Sequence, residues 1–299
     1  MTFGGAWVAV TLCASVAQTL RNAMQRDLIR ALGAVGAAQV RFLFGLPFAL
    51  VFLAGMLAAT GVSAPPITAA IIGWTSFGAL SQVAATALML AAMRTKSFVV
   101  AVAYTKTEPA QIALFGLVAL NEPPTPALLL AIALATVGVA LMSIRSEKQL
   151  MSDWRPAALG LASATFFAFA AIGFRSAIVG VAPPSRPLAA TTILVVGLAI
   201  QSAALMAYLG LFDRAGALAI LKEWRGSLIA GLMGALASQL WFIAFSLADA
   251  ARVRTLGLIE VPLAQAVSMK LFREPMSWRE GLGVALVVVA AGILVWTAA

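Results

Sequence analysis

Apolar stretches about as long as a membrane span follow one another from Ala6 to Val295, parted only by short runs of Gly, Pro and charge. A helix that crosses the hydrocarbon core needs about 20 mainly apolar residues, and with short connections 299 residues hold about ten such helices. The pattern predicts an all-α polytopic membrane protein of ten transmembrane helices. They fall near residues 5–30, 33–58, 67–93, 97–120, 124–145, 156–179, 186–211, 226–248, 252–272 and 276–297, segments one to ten in chain order. No room is left for a sizeable soluble domain. The chain is 62% hydrophobic and only 10% charged, where soluble domains carry about 25% charged residues. Segment one has no basic start and no plausible cleavage site, so it is expected to stay in the chain as a helix and not to be removed as a signal peptide.

The formal charge of +9 does not point to nucleic acid, because the basic residues stand singly or in pairs between apolar segments and form no stripe. Such spacing belongs to loop charges that orient a membrane protein. A single cysteine, Cys13, excludes an intramolecular disulfide, and the absence of histidine removes the commonest metal ligand and general base. No metal and no cofactor are expected. The four aspartates, at 27, 153, 213 and 249, fall at segment ends or in loops, which argues against the paired-acid site of an intramembrane enzyme.

A shift of 152 residues carries Glu108 onto Glu260, Glu122 onto Glu274 and Pro123 onto Pro275. With only seven Glu in the chain, these matches outweigh those of Leu or Ala. They divide the chain into a five-helix repeat at 1–146, a polar linker at 147–155 and a second five-helix repeat at 156–299. Five is odd, so the second repeat enters the membrane the other way up, and a binding site is expected between inverted halves.

Glu108-Pro109 in segment four, with Asn121-Glu122-Pro123 before segment five, resembles the corresponding pattern of the drug/metabolite transporter superfamily in its EamA-type form. Arg273-Glu274-Pro275, followed by Gly283 and Ala290-Ala291-Gly292, is similar to the second copy, and Arg41 stands where the first repeat of that family often carries an arginine. Within the superfamily the chain resembles the YddG-type amino acid exporter branch. The resemblance implies ten helices, a cavity between the halves and export of amino acids or related metabolites through a bacterial-type inner membrane. Two departures stand out: segment nine reads Glu260-Val261-Pro262, with its proline one place later, and the loop from Thr60 to Thr68 carries no charge. The expected partners are thus a small-molecule substrate and the lipid bilayer. A membrane enzyme, a channel and a structural subunit are the competing classes.

Polar residues in a spanning helix must face a cavity, a partner or the bundle interior. This singles out Gln18, Asn22, Ser81, Gln82, Tyr104, Lys106 and Gln239, each of which either lines a pathway or bonds helix to helix. Candidate substrate contacts are Gln82, Tyr104, Phe167, Gln239 and Trp241, in a cavity lined by segments one, three, four, six, eight and nine. Glu108 and Glu260 complete the candidate set, near the middle of segments four and nine. They bind a substrate ammonium, exchange protons, or brace the bundle through arginines such as Arg41 and Arg175. Trp7, Trp154, Trp224, Trp278 and Trp296 fit an interfacial belt, and Gly160, Ala164, Gly231, Gly234 and Gly283 fit close helix packing.

Short loops after odd-numbered segments hold twelve basic residues, among them Arg94, Lys96 and Arg145, whereas those after even-numbered segments hold three, Arg186, Arg252 and Arg254. Positive loops stay cytoplasmic, so both termini are expected on the periplasmic side, opposite to the usual family orientation. A cysteine introduced at either terminus should react with an impermeant thiol reagent in intact spheroplasts; labelling only after lysis would reverse the topology.

Overall fold

The computed structural model describes residues 5–93, 104–143, 155–181, 185–263, 265–266 and 277–298, with 22–31, 34, 90, 92–93, 143 and 156 entering by their backbone alone. The linker at 147–154, Trp154, Arg273-Glu274-Pro275 and the Asn22 side chain lie outside the described residues. Eleven helices are described: α1 Ala6–Leu43, α2 Gly45–Thr60, α3 Ala69–Met93, α4 Glu108–Leu120, α5 Pro126–Ser143, α6 Arg155–Gly180, α7 Arg186–Phe212, α8 Arg214–Lys222, α9 Trp224–Leu247, α10 Ala250–Gly257 and α11 Trp278–Trp296. No strand occurs among the described residues.

Six helical stretches are long and apolar enough to cross a membrane: Val35–Thr60, Ala69–Met89, Ala157–Gly180, Arg186–Phe212, Trp224–Leu247 and Trp278–Trp296. Their outward faces are apolar, as lipid requires; Val51 is 65% exposed and Val118, on α4, 81%. The long helix α1 opens at Gly33, whose φ of 68° and ψ of 177° are open only to a residue without Cβ. That break falls where the first two predicted segments meet, and the second of them continues through Phe44 into α2. The short α8 was not anticipated: Asp213 caps it by accepting from the Gly216 N–H at 2.9 Å, which starts a helix inside what reads as a polar connection.

Two expected helices are interrupted. Residues 106–107 form a turn before α4, and residues 258–259 form another after α10, with helix resuming at Glu260. The causes are local. Pro109 cannot donate to the carbonyl of Thr105, nor Pro262 to that of Leu258, so each loses the bond that would carry the helix through. Although the second proline is displaced by one place, both breaks leave a glutamate as the first helical residue. Glu108 and Glu260 therefore stand at helix starts and not in mid-helix, where the positive end of the backbone dipole favours a carboxylate. At the far end of α4, Asn121 closes the helix in the left-handed conformation, φ 53°, and Pro123 prevents its continuation.

The most extensive helix pairs are α3 with α6, α1 with α9, and α5 with α11. Each joins the first half of the chain to the second, and each is built on glycine. A Cβ on Gly138 would lie 2.7 Å from the Gly283 carbonyl oxygen, and Gly231 lies against the backbone of Phe44. Two expectations change here. Trp7 is 5% exposed and belongs to the core, not to an interfacial belt, whereas Trp278 and Trp296 are 74% and 84% exposed. Arg252 and Arg254 both lie within α10 and not in a loop.

The α3–α6 crossing offers a direct test, because a Cβ at Gly173 would sit 2.7 Å from the Gly78 nitrogen, a backbone atom that cannot swing aside. Gly173→Ala should lower stability by about 1–3 kcal/mol, read as a fall in the thermal midpoint of the detergent-solubilised protein. Gly55→Ala, with nothing within 4 Å of the added Cβ, should not lower it.

Candidate functional site

The two helix breaks face each other across the halves of the chain and exchange ion pairs. Arg254 on α10 holds Glu108 at the start of α4 with both prongs of its guanidinium, Nε to Oε1 at 2.8 Å and Nη2 to Oε2 at 2.8 Å. Lys106, in the turn before α4, holds Glu260 beyond α10 in return. Each carboxylate is thus neutralised by a cation that precedes the other. A bidentate guanidinium–carboxylate pair is the strongest arrangement available to such side chains, and fixes orientation as well as charge.

A chain of contacts through α1 and α9 closes this arrangement into a ring. The Gln18 side-chain amide donates to Glu260 and accepts from the Trp241 indole N–H at 2.8 Å. The Trp241 ring presses on Gly257 and carries the Arg254 guanidinium over its face, 4.8 Å from the centroid. Arg254 and Gly257 are three residues apart and share one face of α10, which explains why one indole touches both. Glycine is needed there, since any Cβ would enter the ring. The members Lys106, Glu260, Gln18, Trp241, Arg254 and Glu108 carry two positive and two negative charges, so the ring is electrically neutral and its glutamates are occupied.

A second cluster lies at helix ends. Arg175 on α6 donates to Glu122 at 2.9 and 3.2 Å, to the Phe245 carbonyl near the end of α9, and lies 3.7 Å from Asp249. Arg252 sits 3.5 Å from Asp249. Here the Asn-Glu-Pro motif has a local meaning: Asn turns the chain, Pro stops the helix, and Glu tethers Arg175 of the second half while that arginine also satisfies an end carbonyl of α9.

Of the candidate residues, Glu108, Glu260 and Trp241 come together, joined by Gln18 and Lys106. Gln82 accepts from Gln201 of α7 at 2.6 Å, and Gln239 donates to Thr191 of α7 at 2.6 Å, so both tie helices to α7 by bonds outside the ring. Tyr104 is half-buried and uses its backbone carbonyl to hold Thr107 in the break. Phe167 is half-buried outside the aromatic group of Phe77, Phe115, Phe166 and Phe169. Of the three roles considered for the glutamates, the bracing one named Arg41 and Arg175 as example partners; the cations that hold them are Arg254 and Lys106. Arg254 was missed because its place six residues before Glu260 reads as a loop charge; the signal was that it stands two residues inside segment nine, beyond Arg252.

Fold and site together define an all-helical, multi-pass membrane protein with a neutral ring of charged and aromatic side chains buried between its helices. Neither a protein-family profile nor a curated protein sequence matches the chain. Its fold matches 27 solved chains. One of them, described only as the crystal structure of a protein, aligns with TM-score 0.73 over 97% of this chain and 98% of its own at 14% identity, a likeness of fold alone.

The Glu108–Arg254 pair has side-chain exposures of 7% and 19%, so removing one partner strands a charge in a largely dry site. Glu108→Gln and Arg254→Gln should each lower the thermal midpoint, and the double variant should recover part of the loss. A thermal-unfolding cycle should give a coupling of about 1–3 kcal/mol; additive losses would show that the pair does not act as a unit.

Proposed function

We propose that the chain is a membrane transporter for amino acids or related small metabolites, working by alternating access between two inverted five-helix halves of the drug/metabolite transporter type. The reciprocal pairing at two matched helix breaks carries this reading. The breaks at 106–107 and 258–259 are separated by the same 152 residues that align Glu108 with Glu260. Under that shift the α3–α6 pair exchanges with α9–α1, and α5–α11 maps onto itself, which supports a two-fold arrangement. Broken helices are the usual way for transporters to expose helix termini to a solute while keeping irregular backbone away from lipid.

In this reading the ring is the contact about which the halves rock. Two salt bridges between the same halves, each with its own cation, let one loosen while the other keeps register. The Arg175–Glu122–Asp249 cluster at helix ends then acts as a gate on one face. A solute entering between the halves competes with these contacts and thereby favours the state that binds it.

Purified protein in proteoliposomes should carry saturable flux of one or more members of a labelled amino acid and metabolite panel. Glu260→Gln, which removes the charge that Lys106 and Gln18 hold, should cut that flux by about ten-fold or more while the protein remains folded. Chemical conversion of the solute without its movement would instead place the protein among membrane enzymes.

A further inference from the structure

Every carboxylate of the two clusters already has a cation, whereas among the described residues Arg41 pairs with no carboxylate. Arg41 on α1 is half-buried; its stem crosses Gly234 of α9, where a Cβ would meet Arg41 Cγ at 2.8 Å. Its guanidinium lies 4.3 Å from the centroid of the Phe42 ring, and its Nε is buried with no hydrogen-bond partner. No carboxylate among the described residues pairs with it. Among the described residues the charged group near enough to act on it is another guanidinium, Arg21, which in turn lies within electrostatic reach of Glu260 and Arg254 of the ring.

A guanidinium inside a membrane bundle is costly, and one facing a second guanidinium is costlier still, unless an anion completes the site. The planar fork of Arg41 matches a carboxylate or phosphate oxygen pair. Along α9 the places that meet Arg41 and Gln18, Gly234 and Trp241, are seven residues apart on one face, about 10 Å of helix. A small solute with an anionic head at Arg41 and an apolar or aromatic body directed at Trp241 spans that distance. The glutamates, by contrast, are filled by Lys106, Gln18 and Arg254, so an ammonium group would have to displace a cation already in place.

We propose that Arg41 receives the oxyanion of the transported solute, and that the site selects small organic anions by their carboxylate or phosphate and does not require an ammonium group. This rests on the transporter reading above, yet binding and flux are measured separately. The probes are phenylacetate, phenyl phosphate and phenethylamine, which share an aromatic body and differ in charge. Titration calorimetry on the protein in dodecyl maltoside, a detergent without phosphate, should show binding of at least one of the two anions and none of the amine. Arg41→Gln should weaken anion binding by about 10- to 100-fold and Arg41→Lys by less, since lysine keeps the charge but loses the fork. Equal binding of phenethylamine, which needs no variant to detect, or unchanged anion binding by Arg41→Lys and Arg41→Gln, would overturn the proposal. So would loss of anion binding in nanodiscs containing phosphatidylglycerol, because the oxyanion would then be a lipid phosphate. Anion binding without flux in proteoliposomes would leave the Arg41 site standing as an anion site and remove the transporter reading; flux of amines that ignores Arg41 would do the reverse.

Discussion

Charge burial in a medium that cannot solvate it governs this structure. Glu108 and Glu260 are tolerated because each finds a cation from the opposite half of the chain, Arg254 for one and Lys106 for the other. An ion at the centre of a hydrocarbon slab costs about 2.5–3.5 kcal/mol on insertion scales. The two halves of the chain therefore cannot separate fully without exposing four charges at once. The pairing is at once a constraint on folding and a restraint on motion.

The helix breaks follow from the same constraint. A continuous helix would present a glutamate with its backbone amides already bonded along the axis, whereas a helix that begins at the glutamate turns free amides and a positive dipole end toward it. Proline just beyond each glutamate makes the break, and the interior position keeps the orphaned backbone groups away from lipid. Around this centre the helices approach through Gly78 and Gly173, Gly138 and Gly283, and Gly231 and Gly234. In a bilayer, close backbone approach replaces the hydrophobic effect as the source of helix association.

Balance in the ring throws the imbalance beside it into relief. The side chains from Lys106 to Glu108 sum to zero charge, and the Arg175 cluster does the same, so neither asks for a ligand. Arg41 does. A cluster complete in its own charges calls for no ligand, whereas Arg41, with no carboxylate partner among the described residues, is where we propose that one binds.

Much of this was legible in the sequence, because lipid imposes apolar runs of fixed length and punishes every exception. The run lengths disclosed the helical membrane class and a boundary near Gly33, and the 152-residue shift paired the glutamates, but the breaks beside them were not legible, because an apolar run reads as one continuous helix. Which cation meets which carboxylate was not legible: Arg254 and Glu108 are 146 residues apart, and no local pattern encodes a partner at that distance. Gln82 and Gln239 have the same composition signal as Gln18, yet α7 takes the first two and the ring takes the third. Segment hydropathy reports what a residue must avoid, and only the packing of helices against one another decides what it meets.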